Sequence, residues 1–292
     1  MSEKASVAVV GVAKNVEGSV RREFLRFQKV LEEFEFKGMY VVESDSQDNS
    51  IAVLEELAKK YSKFIYTSLG KLEPILPNRI ERIRFCRNRY VSEIRQNIIF
   101  LKTDFIIVAD LDNINSFLRK SDLTSALTQS SFTWTGLFPN QLINYYDLLA
   151  LRSRNWLKTD FNYLIWRAYS ISSRKNEIAS ILDKLRYELI RQKFFKRKCL
   201  RIKHNQHPIK VESAFGGLGI YKAEIFLECD YGGGTGVLSN ECEHVEFHRQ
   251  AGNLGKEFFL LPSLYNNLVS RHTFRKYLLC RILFNLGRKM VF

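Results

Sequence analysis

The segment DFIIVADLD, residues 104–112, sets five consecutive apolar residues, Phe105 to Ala109, directly before two carboxylates, Asp110 and Asp112. A run apolar at every position, not at every second one, is what a strand covered on both faces requires. Such strands belong to parallel sheets sandwiched between helices, and in open sheets of that kind ligands bind beyond the carboxyl ends of the strands. The two acids therefore fall where a binding crevice is expected.

Upstream, the same alternation repeats. SVAVVGVA (6–13) reads as a first strand, followed by a helix near 18–35, and GMYVVES (38–44) reads as a second. The polar run SDSQDNS, with Asp48 or Asn49 as candidate N-cap, opens a helix ending near residue 60. KFIYTS (63–68) is a third strand, and NRIERIRFCRNRYVSEIRQN begins a long basic helix near 78–98 with Ile80, Ile83, Arg84 and Arg87 at three- and four-residue spacings. The expected fold is α/β and Rossmann-type, with a mostly parallel central sheet and helices on both faces.

Downstream the pattern loosens. SFTWTGLF (131–138) reads as a further strand, and residues 142–200 read as mainly helical, basic and aromatic, the bulk of a helical insertion over about 142–205. After it come a short strand, IKVES, a glycine turn, GGLGIYK, a short helix and the loop YGGGTG; ECEHVEFHRQ opens a helix, EFFLLP is a strand, and residues 271–292 form a basic terminal helix. One domain is expected over 1–270, with halves at about 1–130 and 206–270.

The net charge is +14, and its distribution is uneven. Residues 152–203 hold 15 Lys/Arg against 4 Asp/Glu, and residues 271–292 hold six Lys/Arg and no acid. Such a segment serves nucleic acid, an anionic membrane surface or a phosphorylated substrate, or is simply a solvated helical face. No apolar window is long enough to span a membrane and the N-terminus lacks the pattern of a signal peptide, so the cytoplasm is the expected compartment. The five cysteines are widely spaced with no C-x-x-C pair, which argues for structural thiols and against zinc or redox chemistry.

The Asp110-Leu-Asp112 motif is weak alone, but its place after the most apolar strand is favourable. Mg2+ or Mn2+ takes oxygen ligands from one or two carboxylates and fills its shell with phosphate oxygens, so the pair suits a diphosphate-bearing substrate. Glu43, Ser44 and Asp45 at the end of the second strand suit hydrogen bonding to a nucleotide base or ribose. Gly216 and Gly217 remove side-chain bulk beside a sugar or diphosphate, or else make an ordinary turn. Tyr145, Tyr146, Asp147 and Arg152 mix aromatic and charged groups as a sugar or phosphate acceptor requires, and equally as a core stripe with a salt bridge does.

Taken in order, VAVVGVAKN, VVESDSQDNS, RIRFCRN, FIIVADLD, AFGGLGIYKAEIFLECDY and ECEHVEFH resemble the A-type, nucleotide-sugar glycosyltransferases. The likeness is to the capsule-associated mannosyltransferase-like groups and to the family-two-like inverting superfamily that includes cellulose and chitin synthases. It covers most of the chain apart from 152–205 and the tail. The resemblance implies a GT-A-like fold, with Asp45 on the nucleotide base, Arg84 or Arg87 near the donor, and Asp110 and Asp112 sharing ribose and metal. Glu243-His244 stand where that family has a Glu-Asp pair. His244 is a departure, which leaves either Glu243 or His244 as the base and His244 as a possible third metal ligand.

What this implies is a Mn2+- or Mg2+-dependent, inverting transfer from a nucleotide-sugar donor to a glycan, lipid-linked or other hydroxyl acceptor, in polysaccharide biosynthesis. Two competing classes remain: a nucleic-acid-binding module using 152–203, disfavoured because no binding motif accompanies the charge, and a metal-dependent nucleotidyltransferase. The terminal helix, with Phe274, Tyr277, Leu278 and Ile282 on one stripe, is a candidate peripheral membrane contact.

Overall fold

The computed structural model describes residues 4–97, 100, 102–172, 181–232 and 241–267. Eight strands form one sheet: β1 (Ser6–Ala13), β2 (Glu35–Glu43), β3 (Phe64–Ser68), β4 (Phe105–Ala109), β5 (Gly136–Gln141), β6 (Ile209–Val211), β7 (Leu218–Lys222) and β8 (Phe258–Asn267). Their order is β3-β2-β1-β4-β7-β5-β8-β6. The first four strands are mutually parallel, β5 and β8 are parallel to one another, and β7 and β6 run antiparallel to their neighbours.

The helices are α1 (Val20–Val30), α2 (Ser50–Lys60), α3 (Arg79–Gln96), α4 (Lys120–Leu127), α5 (Phe161–Ser172), α6 (Ile181–Lys198), α7 (Ile225–Glu228) and α8 (Glu243–Asn253). They cover both faces of the sheet because alternate residues of each buried strand point to opposite sides. Val7, Val9, Ile107 and Ala109 pack with Phe24 and Phe27 of α1, Leu54 and Leu57 of α2, and Leu123 of α4. Ala8, Val10, Ile106 and Val108 pack with Tyr90 and Ile94 of α3, Phe161 and Ile165 of α5, and Phe247 of α8. At about 25 cal/mol per Å2, two such apolar layers are the main stabilising term of the fold.

The local chemistry sets several boundaries. Asn78 caps α3, its side-chain oxygen accepting from the Ile80 and Glu81 N–H groups at 2.8 and 3.5 Å. At the start of α2 the work is done by Asp48 and not by Asn49, whose side chain makes no capping bond: Asp48 Oδ1 accepts from Ser50 N at 3.0 Å and Ser50 Oγ at 2.5 Å.

Three expectations need correction. GGLGIYK is a turn only at Gly216-Gly217; from Leu218 it is β7, an antiparallel strand placed in mid-sheet between β4 and β5. Residues 142–160 are not helical: they form turns and the isolated bridges Arg152–Ser213 and Ser153–Leu157, and the helices of the insertion begin at Phe161. The strand expected from Ser131 begins at Gly136. The expected terminal helix, 271–292, and residues 233–236 of YGGGTG lie outside the described residues. Of the five cysteines, Cys86, Cys229 and Cys242 are free thiols.

Candidate functional site

A cleft of ≈ 610 Å3 opens beyond the carboxyl ends of β1, β2 and β4, a size and place usual for a small-molecule site. Asp45, Arg87, Asp110, Asp112, Glu243 and His244 all line it, together with Asp147. Residues separated by up to two thirds of the chain thus share one concavity.

Asp110 follows the last residue of β4 and is held there by its backbone. Its N–H donates to Gly217 O at 2.9 Å, and its own carbonyl accepts from Asn115 Nδ2 at 2.9 Å. Behind that loop lies a buried amide network. Asn266 Nδ2 donates to Asn115 Oδ1 at 3.0 Å and to Gly216 O at 2.8 Å, while Gln141 Nε2 reaches Asn266 Oδ1 at 3.3 Å. Each amide bonds groups that burial would otherwise leave unpaired, so the network fixes the loop to the glycine pair.

Gly216 and Gly217 have φ of 69° and 88°, and a Cβ would lie 2.6 Å from Gln141 Nε2 at the first and 2.7 Å from Ile114 Cγ2 at the second. Neither lines the cleft. The expectation that they approach a ligand is therefore corrected: their backbone carbonyls hold the Asp110 loop.

Arg87, on α3, ties the two sides of the cleft together. Its Nε donates to Glu243 Oε1 at 3.0 Å, its Nη1 to Tyr90 OH at 3.2 Å, and its Nη2 lies 3.6 Å from Asp110 Oδ1. The guanidinium also sits over the Phe215 and Tyr231 rings, 5.2 and 5.5 Å from their centroids. Burial opposes its charge, but Tyr90, Glu243, Tyr231 and Asp110 outweigh burial and hold it protonated. Of Arg84 and Arg87, Arg87 is the one that lines the cleft. Arg84 is turned to Glu241 O at 3.0 Å and does not line the cleft.

Asp110 keeps 39% of its side chain open to the cleft. Elsewhere protein surrounds it, and this desolvation pushes its pKa up to about 7; Arg87 opposes the rise, and Asp112, Asp147 and Glu243 add to it. Water in the open mouth moderates that rise. Asp112 is exposed, and no described residue gives it a hydrogen bond or ion pair. A concentration of carboxylates facing a cleft is what a cation relieves.

Among the described residues no group of three or more His, Cys, Asp or Glu is arranged to hold a metal ion. His244, expected as a third ligand, is buried against Phe215 and is not grouped with Asp110 and Asp112 in this way. Two carboxylates still fit a hard cation that takes the rest of its shell from phosphate and water.

His244 is 1% exposed, stacks on Phe215 with centroids 3.7 Å apart, and neither ring nitrogen has a hydrogen-bond partner. Burial first, then Arg87 and His248, hold its pKa well below the ordinary 6.5. A neutral imidazole so disfavoured as a cation is a poor proton acceptor. Glu243, the other candidate base, opens α8 and is paired with Arg87 at the cleft wall.

The expected nucleotide contacts divide. Asp45, in a left-handed conformation with φ of 58°, lines the cleft, but its Oδ1 accepts from the Leu72 and Glu73 N–H groups, both at 2.9 Å, and Arg82 Nε lies 3.6 Å from Oδ2. Burial raises its pKa, yet those N–H groups and Lys14 outweigh burial and leave it lowered. Glu43 is fully buried and outside the cleft; its Oε1 accepts from Ser46 N at 3.0 Å and its Oε2 from Ser68 Oγ at 2.5 Å. Glu43 is thus a turn-holding residue, a correction to its expected contact with the nucleotide.

Arg152 is likewise committed, to Asp160 at 2.9 Å and Glu241 at 3.2 Å, and does not line the cleft. Asp147 gains importance: it faces the cleft while Oδ2 accepts from Gly216 N at 2.9 Å, and burial raises its pKa. Its only sequence signal was its place among Tyr145, Tyr146 and Arg152.

No protein-family model matches the chain, and no curated protein matches it. Solved structures that are similar include S. aureus TarS 1–349, at 12% identity over 92% of this chain and 62% of that one, with a TM-score of 0.46. Another is glucosyl-3-phosphoglycerate synthase from Mycobacterium tuberculosis in complex with uridine diphosphate, at 14% identity over 91% and 72%, with a TM-score of 0.43. The same synthase with Mn2+, uridine diphosphate and glucosyl-3-phosphoglycerate is similar at 14% identity over 90% and 71%, with a TM-score of 0.44. This chain spans less than two thirds of the TarS 1–349 length.

Proposed function

We propose that the chain is a divalent-metal-dependent glycosyltransferase of the A type, moving a sugar from a nucleoside-diphosphate donor to an acceptor hydroxyl with inversion. The observation that carries this reading is the Asp110–Arg87–Glu243 chain of contacts across one cleft, with Asp112 beside it. The order of motifs in the sequence, which resembles that family, supports it. Asp110 and Asp112 would hold Mn2+ or Mg2+, which supplies charge neutralisation for the departing diphosphate.

The protein's own groups account for the rest. Glu243 takes the proton of the acceptor hydroxyl, and Arg87 holds that carboxylate in position through its Nε. An inverting displacement needs a base apart from the leaving group, and the position of Glu243 on α8, a different element from the acid pair after β4, is consistent with that reading. Asp147 borders the space left for the sugar, and His244, buried and stacked on Phe215, backs its wall. The Asp45 side of the cleft, with Lys14 and Arg79, suits the nucleoside.

The test is a screen of nucleotide sugars for nucleoside diphosphate release with Mn2+ and after chelation. Release that needs metal and rises with an acceptor is expected. Pyrophosphate release instead would identify a nucleotidyltransferase, and release indifferent to chelation would contradict metal dependence.

A further inference from the structure

The insertion helices carry an unusual outer surface. Of the 13 large apolar side chains exposed on the described chain, seven fall between residues 142 and 200, and three of these lie on the helices themselves: Tyr163, Trp166 and Leu189. Scattered singly, exposed apolar groups mean little, but concentration in one segment marks a surface that meets something else. On α5, Phe161 and Ile165 point into the core while Tyr163 and Trp166 point out, 43% and 57% exposed with their rings 6.0 Å apart. On α6, Tyr187, Ile190 and Phe194 pack inward, and Leu189, Lys193 and Arg197 form an exposed row at four-residue spacing.

The exposed charged side chains described on these two helices are of one sign. Arg167, Lys193 and Arg197 are exposed and make no ion pair with a described residue, whereas the nearby acids Asp160 and Glu188 are already paired with Arg152 and Arg191. Residues 152–203 as a whole carry 15 Lys/Arg against 4 Asp/Glu. Exposed Trp, Tyr and Leu flanked by exposed cations is the chemistry of a surface that rests in the headgroup region of an anionic bilayer. A nucleic acid would use the cations and have no use for Leu189. Among the described residues no helix is long and apolar enough to cross a membrane, so this is contact with a surface.

We infer that the outer face of α5 and α6 docks on an anionic lipid surface, through Tyr163, Trp166 and Leu189 with Arg167, Lys193 and Arg197. The same two helices present Asn162, Arg191 and Phe195 to the cleft, so docking brings the cleft mouth to the bilayer. The inference stands apart from the glycosyl-transfer reading, because its readout is lipid contact and not turnover.

Tryptophan fluorescence tests it on the full chain. Of the three tryptophans, Trp134 is buried and Trp156 is partly buried with its Nε1 bonded to Lys198 O at 2.7 Å, leaving Trp166 as the one exposed reporter. With phosphatidylglycerol vesicles carrying brominated acyl chains, emission should be quenched and blue-shifted. Phosphatidylcholine vesicles should give little effect, and high salt should weaken binding. Trp166→Phe should still float with the vesicles yet lose the quenching. The double variant Trp166→Glu/Leu189→Glu, folded by circular dichroism, should bind at least about tenfold more weakly. Quenching that survives Trp166→Phe, vesicle binding unchanged in the double variant, or binding to RNA without binding to anionic vesicles would each overturn the inference.

Discussion

Two acid clusters stand at the carboxyl ends of parallel strands in this sheet, and they have opposite fates. At the end of β2, both oxygens of Glu43 and the Oδ1 of Asp45 are given to the protein: Ser46, Ser68, Leu72 and Glu73 supply four donors between them. At the end of β4, only the backbone of Asp110 is tied down, and the carboxylates of Asp110 and Asp112 receive little beyond one Arg87 contact at 3.6 Å. An acid that is fully bonded builds a turn; an acid that is positioned but left short of partners is prepared for a ligand.

The largest effect that sharpens this contrast is on stability at the β2 end. Glu43→Ala removes a fully buried carboxylate together with its bonds to the half-buried Ser46 N–H and the exposed Ser68 hydroxyl, and should cost about 2–4 kcal/mol, read by urea unfolding, while activity per folded molecule changes by no more than about threefold. Loss of activity without loss of stability would break the contrast.

At the β4 end, the expected loss comes through support. Asn266→Ala removes the donor to both Asn115 Oδ1 and Gly216 O. It should cost about 1–3 kcal/mol and lower the turnover rate as well, because the Asp110 loop loses its backing. Turnover unchanged at equal folded fraction would show that the network serves stability alone.

The smallest effect concerns a third acid, Glu23, which lies behind the Asp110–Asn115 loop and is bonded on one side only. Arg26 Nη1 donates to Oε1 at 2.8 Å, Oε2 has no partner, and burial raises its pKa to about 6 from 4.5, with Arg26 lowering and Asp112 raising it. The folded state therefore holds this proton more tightly than the unfolded chain. Glu23's contribution is most favourable below pH 4.5 and is lost as pH rises through about 6. Glu23→Gln should remove about 1–2 kcal/mol of that decline between pH 4.5 and 7. Parallel pH–stability curves for the two proteins would contradict the assignment.

The comparison also shows what the sequence can and cannot reveal. Parallel strands at 6–13, 38–44 and 104–110 were legible because both faces are covered, which leaves a continuous apolar signature in the chain itself. β7 was not legible. It is short, carries Gly219 and follows a glycine pair, and its central place depends on pairing with β4 residues more than 100 positions away. Asp110 and Asp112 stand at a strand end, a local feature that the sequence displays, and Glu243, to which the resemblance pointed, opens α8 in the same cleft. The cleft's partition was hidden for a different reason: nothing local distinguishes Glu43, whose partner Ser68 is 25 residues on, from Asp45 in the cleft. Likewise the helical spacing of Arg84 and Arg87 is equivalent, and only the neighbouring α8 decides that Arg87 meets Glu243.

Manganese paramagnetic resonance, with the protein titrated in the presence of a nucleoside diphosphate, tests the divided roles most directly. The wild type and Glu43→Ala should bind Mn2+ alike, and Asp110→Asn and Asp112→Asn should each weaken it by at least about tenfold. Mn2+ binding that survives both aspartate substitutions, or that Glu43→Ala abolishes in a folded protein, would contradict the placement of the metal at the end of β4.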